Sequence, residues 1–285
     1  MDAGVFFKGR ERLNLVDGSA EAREAKVKAP VGPVDPCASR ALAVTSFHSR
    51  RCRRLQLQRP NRQGRGCHGA YLSQCAARRL RSGNSLKELH APSTTREKYF
   101  KFWHLSQEFL LRLYKSPLVT ICAIRGACPA GGCILSLLCD SRIMTEAGTI
   151  GLNEVALGIP VPYFWAQVMS QLIGQGPAYR ILMGAHLVAP AEALQLGLID
   201  RVVHKDQLLP AAEAAILAAL KFPDGGRQHT KVALRQDLAA GWTHSFVENE
   251  ATTSWANLSS PETVSFLGGI MKSLEKKSKS ERPRM

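Results

Sequence analysis

Between Cys37 and Arg81 the chain has no Asp, no Glu and no Lys, yet it carries eleven Arg. A stretch without acids has no ion pairs of its own and repels itself, so it is expected to lie outside any packed core. Residues 1–36 balance six basic against six acidic side chains, so the Arg segment supplies +11 of the formal +15 and residues 82–285 only +4. The basic character is therefore local. Around Arg50-Arg-Cys-Arg-Arg54 there is no aromatic interleaving, no helical pattern and no nucleic-acid fold signature, so binding of RNA or DNA is not expected. No apolar run is long enough to span a membrane, and the first thirty residues are too acidic for a transit peptide and lack a signal-peptide core. Close Cys-x-x-Cys spacing is missing as well. Cys37, Cys52, Cys67 and Cys75 lie in or near the Arg segment, while Cys122, Cys128, Cys133 and Cys139 are spaced as small apolar residues of a reduced interior. No zinc site is expected from these patterns.

What is present begins with Ile124-Arg-Gly-Ala-Cys-Pro-Ala-Gly-Gly-Cys133. The apolar run Leu118–Ile124 before it suits a strand covered on both faces, and Cys133–Cys139 after it suits a buried helix. Gly131 and Gly132 let the backbone approach a ligand, and the free N–H groups of the helix start can hold a developing negative charge. Without further support the same residues are equally a tight strand-to-helix connection. About twenty residues on, Glu154 stands among Leu152, Val155, Leu157 and Ile159. A carboxylate buried there without a partner is expected to have a pKa raised toward neutrality, as a general base needs; in a solvated loop it would have no such role.

Five ordered motifs carry a family resemblance: Ser82-Gly-Asn-Ser-Leu-Lys-Glu-Leu89, Gly126–Cys133, Cys139-Asp-Ser-Arg142, Gly151–Gly158 and Ala189–Asp200. In these the chain resembles the enoyl-CoA hydratase/isomerase (crotonase) superfamily, most closely its mitochondrial-type Δ3,Δ2-enoyl-CoA isomerases, over roughly Ser82 to Leu274. The resemblance implies an α/β fold, a crotonase-like ββα spiral with a C-terminal helical region, whose N-terminal part is here missing or replaced. It implies an oxyanion hole from the N–H groups of Asn84 and Gly131, Glu154 as the proton-transferring base, and an acyl-CoA as substrate touched by Ser82, Gly83, Ala130, Gly132, Leu152 and Phe164. Coenzyme A is then part of the substrate, no metal or redox cofactor is needed, and a homotrimer or hexamer is the implied assembly. Hydratases of the superfamily use a second Glu where this chain has Ile134, and dienoyl-CoA isomerases an Asp where it has Pro162. The resemblance thus favours the one-carboxylate isomerisation over two alternatives, a hydratase and a catalytically impaired acyl-CoA-binding subunit. Pro160 to Trp165 are expected to wall the acyl chain or to pack in a core or subunit interface.

The remaining pattern is helical. Thr94-Thr-Arg-Glu97 reads as a capping box, with Phe100, Trp103, Leu110 and Tyr114 at helical spacing until Pro117. Ala189-Pro-Ala-Glu192 opens a helix that Gly197 closes, and Leu198–Val203 reads as a strand. Helices are expected over Asp206–Lys221, Gly226–Ala240, Phe246–Leu258 and Pro261–Lys276. The expected organisation is therefore an Arg-rich, disordered region over 1–81, a core over 82–200, a helical region over 201–277 and a basic tail over 278–285. The terminal Pro283-Arg284-Met285 resembles a peroxisomal targeting tripeptide, and the family also serves the mitochondrial matrix.

Overall fold

The computed structural model describes residues 69–74 and 86–280. Its centre is β2 (Val119–Ile124), buried at every residue. The alternation of a strand sorts its side chains to two cores. Val119, Ile121 and Ala123 meet Ile143 and the apolar face of α7 (Leu208–Ala219), formed by Leu208, Ala211, Ala212 and Ile216. Cys122 and Ile124 face the larger core, with Leu110, Leu113, Cys133 and Leu137. A strand covered on both faces needs the unbroken apolar run the sequence has there.

Around β2 the sheet runs in the order β1-β2-β4-β6, all pairs parallel, with β1 at Gly69–Gln74, β4 at Ser141–Thr145 and β6 at Arg201–Val203. β1 lies inside the segment expected to be disordered and pairs with β2 from Gly69↔Val119 to Gln74↔Ile124, which corrects that expectation for these six residues. The physical reason is local: between Arg65 and Arg78 the chain has no charged Lys, Arg, Asp or Glu, so this window escapes the repulsion of its flanks. The Arg50–Arg54 run, Ser82, Gly83, Asn84 and the terminal tripeptide lie outside the described residues. A second, two-stranded parallel sheet pairs β3 (Cys128–Pro129) with β5 (Ile150–Gly151).

After a short α1 (Leu86–Leu89) comes α2 (Arg96–Tyr114), whose N-cap is Thr95, its hydroxyl accepting from Lys98 N at 3.3 Å. The expected box on Thr94 is thus displaced by one residue, and Glu97 falls in the first turn, where its carboxyl is held below the ordinary range by its own backbone N–H and by the Thr95 hydroxyl. α3 (Gly131–Leu137) follows the glycine turn, and α4 (Tyr163–Ile173) and α5 (Gln175–Met183), for which no helix was expected, precede α6 (Pro190–Leu196). Gly197 closes α6 at φ 80°, as expected. α8 (Asp224–Gly241), α9 (His244–Leu258) and α10 (Pro261–Ser280) complete the helical region.

Two ion-pair groups tie these elements to the sheet. Asp140 accepts from Thr120 N at 2.9 Å and from Lys231 Nζ and Arg235 Nη2 of α8, both at 2.9 Å. Arg142, almost fully buried, reaches Asp200 at 3.0 Å and the Cys139 carbonyl at 2.9 Å, joining β4 to the start of β6. The four core cysteines are buried, as their spacing suggested. Among the described residues no helix is long and apolar enough to cross a membrane.

Candidate active site

The glycine turn and the Glu154 segment are brought together by the small sheet. Cys128 N donates to Thr149 O at 2.7 Å and Ala130 N to Gly151 O at 2.9 Å, so the turn lies three residues from Glu154 across one ladder. Cys133, in the first turn of α3, senses both: burial, with the neighbouring Cys128 and Glu154, pushes its thiol up, and the Gly151 backbone opposes this. Behind β5, Ile150 exchanges two 3.0 Å backbone bonds with Val188. A side chain at Gly151 would meet the His186 carbonyl at 2.3 Å, so this segment has one backbone path.

Ala130 holds the turn at φ 50° and ψ −124°, a conformation that L-residues rarely adopt. Such strain persists only where surrounding bonds over-determine it, here the Gly151 bond before Ala130 and the Ile134 N to Ala130 O bond at 3.1 Å after it. The consequence is that Gly131 and Gly132 open α3 with N–H groups that no carbonyl of the helix can accept.

Glu154 begins a 3-10 turn, Glu154–Leu157, that Gly158 closes at φ 71°. The residue is 7 % exposed, and neither carboxylate oxygen has a hydrogen-bond partner. Burial pushes its pKa up to about 7, opposed by its own backbone N–H, which favours the charge without meeting hydrogen-bond geometry. Glu154 lines a narrow cavity of about 40 Å³ together with Ala130, Leu157, Ile159, Pro160, Pro162 and Trp165 from the middle of the chain and Leu86, Leu89, Tyr99, Trp103, Ser254 and Leu258 from α1, α2 and α9, with Trp165 stacked on Trp103 at 6.4 Å. Among the described residues, Glu154 is the one carboxylate in this lining.

Of the expected site residues, Glu154, Ala130, Gly131 and Gly132 are therefore adjacent, while Ser82, Gly83 and Asn84 lie outside the described residues. Leu152 is fully buried and not on the cavity. Phe164 also turns away: it stacks on Trp242 at 4.5 Å with its plane 5° off, and the neighbouring Trp165 faces the cavity instead. One residue is about 100° around a helix, and since Phe164 and Trp165 both lie on the buried face of α4, helical spacing alone does not say which of them meets the cavity. Ile134, where hydratases carry their second Glu, is fully buried in the core, and Pro162 lies on the cavity. Tyr99, Ser254 and Leu258 were missed. Tyr99 is one turn before Trp103 on the stripe read for α2, and Ser254 and Leu258 are one turn apart on α9, so helical spacing was the available signal.

Comparison with known proteins bears on the whole arrangement. A family model described as enoyl-CoA hydratase/isomerase matches residues 76–278. Human "Enoyl-CoA delta isomerase 1, mitochondrial" is 44 % identical over 144 residues, 50 % of this chain and 48 % of that protein. A Xenopus tropicalis ethylmalonyl-CoA decarboxylase is 34 % identical over 156 residues, 54 % of this chain and 52 % of its own length. The chain thus spans about half the length of the curated relatives it matches. Among solved structures, human mitochondrial delta3-delta2-enoyl-CoA isomerase superposes with a TM-score of 0.68 at 34 % identity, over 74 % of this chain and 81 % of that one.

Proposed function

The chain belongs to the enoyl-CoA hydratase/isomerase family, and from that premise we propose that it moves the double bond of a 3-enoyl-CoA to C2, with Glu154 carrying the proton. The observation that carries this reading is the state of Glu154: a buried carboxylate, unpartnered, alone of its kind in the lining of an apolar cavity and poised near pH 7. Isomerisation needs one base that removes a proton from C2 and returns it at C4. The C2–H bond breaks to the Glu154 carboxylate, the electron pair delocalises through the dienolate onto the thioester oxygen, and the same proton forms the new bond at C4.

Charge on the thioester oxygen requires donors already aimed at it. The Gly131 N–H, presented by the strained Ala130 turn, is the donor this reading assigns, with the Asn84 N–H as its counterpart outside the described residues. Each such donor supplies about 3 kcal/mol of barrier lowering. The apolar lining keeps water from the dienolate and leaves Glu154 its raised pKa. Hydration would need a second group to activate water, and the position that would hold it is the buried Ile134.

Kinetics on 3-hexenoyl-CoA and 2-hexenoyl-CoA test the assignment. The expected outcome is isomerisation of the first with little hydration of the second, and loss of more than about a thousandfold in kcat for Glu154→Gln with the fold retained, as for removal of an essential base. Hydration as fast as isomerisation would overturn the choice of reaction, and an active Glu154→Gln protein would remove Glu154 from its role.

A further inference from the structure

The wall of the cavity formed by Pro160 and Pro162 runs directly into α4, and α4 has no cap of its own. Its N-cap residue is Pro162, which offers no side-chain acceptor to the first turn. The acceptor comes from elsewhere: Glu250 Oε1 on α9 receives the Tyr163 N–H at 2.8 Å, across 87 residues of chain. A helix start whose first donor is held only by another helix is fixed in space by that helix.

The same carboxylate acts electrostatically on the other wall without a hydrogen bond to it, Trp103 Nε1 being buried without a partner. Burial pushes the Glu250 carboxyl above its ordinary range, offset by the Tyr163 N–H and by the Trp103 indole, and the charge of Glu250 in turn raises Tyr99. Its second oxygen, Oε2, is buried without a hydrogen-bond partner. Trp103 and Tyr99 both line the cavity, and so do Ser254 and Leu258, which follow Glu250 at one-turn steps along α9. Glu250 itself is not in the lining and takes no part in the proton transfer.

We propose that Glu250 is a positioning residue: by capping α4 from α9 it holds the Pro160–Pro162 wall at a fixed distance from the Tyr99–Trp103 wall and so sets how the site grips an acyl chain. This rests on the reading of the cavity as the acyl site. The grip concerns the acyl part of the ligand and leaves the coenzyme A part untouched.

The test compares wild type, Glu250→Ala and Glu250→Gln by calorimetric binding of octanoyl-CoA and of free coenzyme A, with kcat and KM for 3-octenoyl-CoA. Glu250→Ala is expected to weaken octanoyl-CoA and raise KM by about tenfold, the scale of a lost helix cap, while coenzyme A affinity, kcat and the pH limb of kcat stay put. Glu250→Gln keeps an oxygen for the Tyr163 N–H and restores wild-type behaviour. Equal losses for both ligands, no rescue by Gln, or an unaffected Ala variant would overturn the proposal. If the Ala variant does not fold, Glu250→Asp, one methylene short of Tyr163, is expected to show a smaller loss confined to octanoyl-CoA, and a loss shared with coenzyme A overturns it. Acyl-selective weakening in a protein that does not isomerise 3-octenoyl-CoA would uphold the positioning role and instead sink the proposed reaction.

Discussion

At the scale of single residues the molecule spends stability on Glu154. The carboxyl is driven from an ordinary 4.5 to about 7 by burial. A raised folded-state pKa contributes stability that is fully present below pH 4.5 and is lost as pH climbs through 7, in all roughly 3 kcal/mol. Catalysis has the opposite dependence, since only the ionised form accepts the C2 proton. Isomerase kcat is therefore expected to rise with pH along a limb centred near 7, while urea denaturation shows Glu154→Gln to be the more stable protein at pH 8 and wild type its equal at pH 4. A limb centred near 4.5, or wild type equal to the variant at pH 8, would show that the carboxyl is hydrated. Glu154 was legible in the sequence because an acid among Leu152, Val155, Leu157 and Ile159 is costly to bury and interrupts an otherwise apolar run. Phe164 was misread because it and Trp165 share the buried face of α4, and which one meets the cavity depends on distant partners, Trp242 stacking on Phe164 and Trp103 on Trp165.

Secondary-structure elements were legible where local chemistry sets them. β2, the α6 stop at Gly197 and the last four helices lie where apolar period, glycine and proline put them, within a few residues. The position of the glycine turn depends instead on a contact between loops. Gly126 follows β2 at φ 85°, and Gly148, at φ 121° after β4, packs so closely on it that a Cβ would stand 2.2 Å from the Gly126 carbonyl carbon and oxygen. No sequence pattern links these two glycines. Gly148→Ala is expected to cost more than about 3 kcal/mol, from overlap with backbone that cannot rotate away added to an unfavourable φ. A loss below about 1 kcal/mol in chemical denaturation would mean that the two loops are free to part.

The whole molecule is held by contacts between its halves. Asp140 takes two cations of α8, Lys231 and Arg235, against the ends of β2 and β4, and these are themselves anchored to the carbonyls of Leu118 and Tyr114 at 2.8 Å. Asp140→Ala leaves two mostly buried cations facing each other, and about 3 kcal/mol of stability is expected to go with it, less for Asn, which still offers an oxygen. Activity of the folded fraction should be unchanged, since no member of this group reaches the cavity; a kcat defect at full folding would show that α8 acts on the site. β1 shows the limit of composition as a guide at this scale. Averaged over Cys37–Arg81 the charge forbids a core, yet a neutral window inside it pairs with β2.

The span of the cavity has a consequence for how the protein is made. Its lining runs from Leu86 to Leu258, and the α4 wall is pinned by a residue of α9. During synthesis from the N-terminus the sheet, the glycine turn, Glu154 and the α2 part of the lining all leave the ribosome before α9, which completes that lining, exists. The nascent chain therefore holds an incomplete site, without Ser254, Leu258 and the Glu250 cap, until the last helices dock. A chain stalled after α8 would carry the proposed base and the Gly131 donor and still be inert.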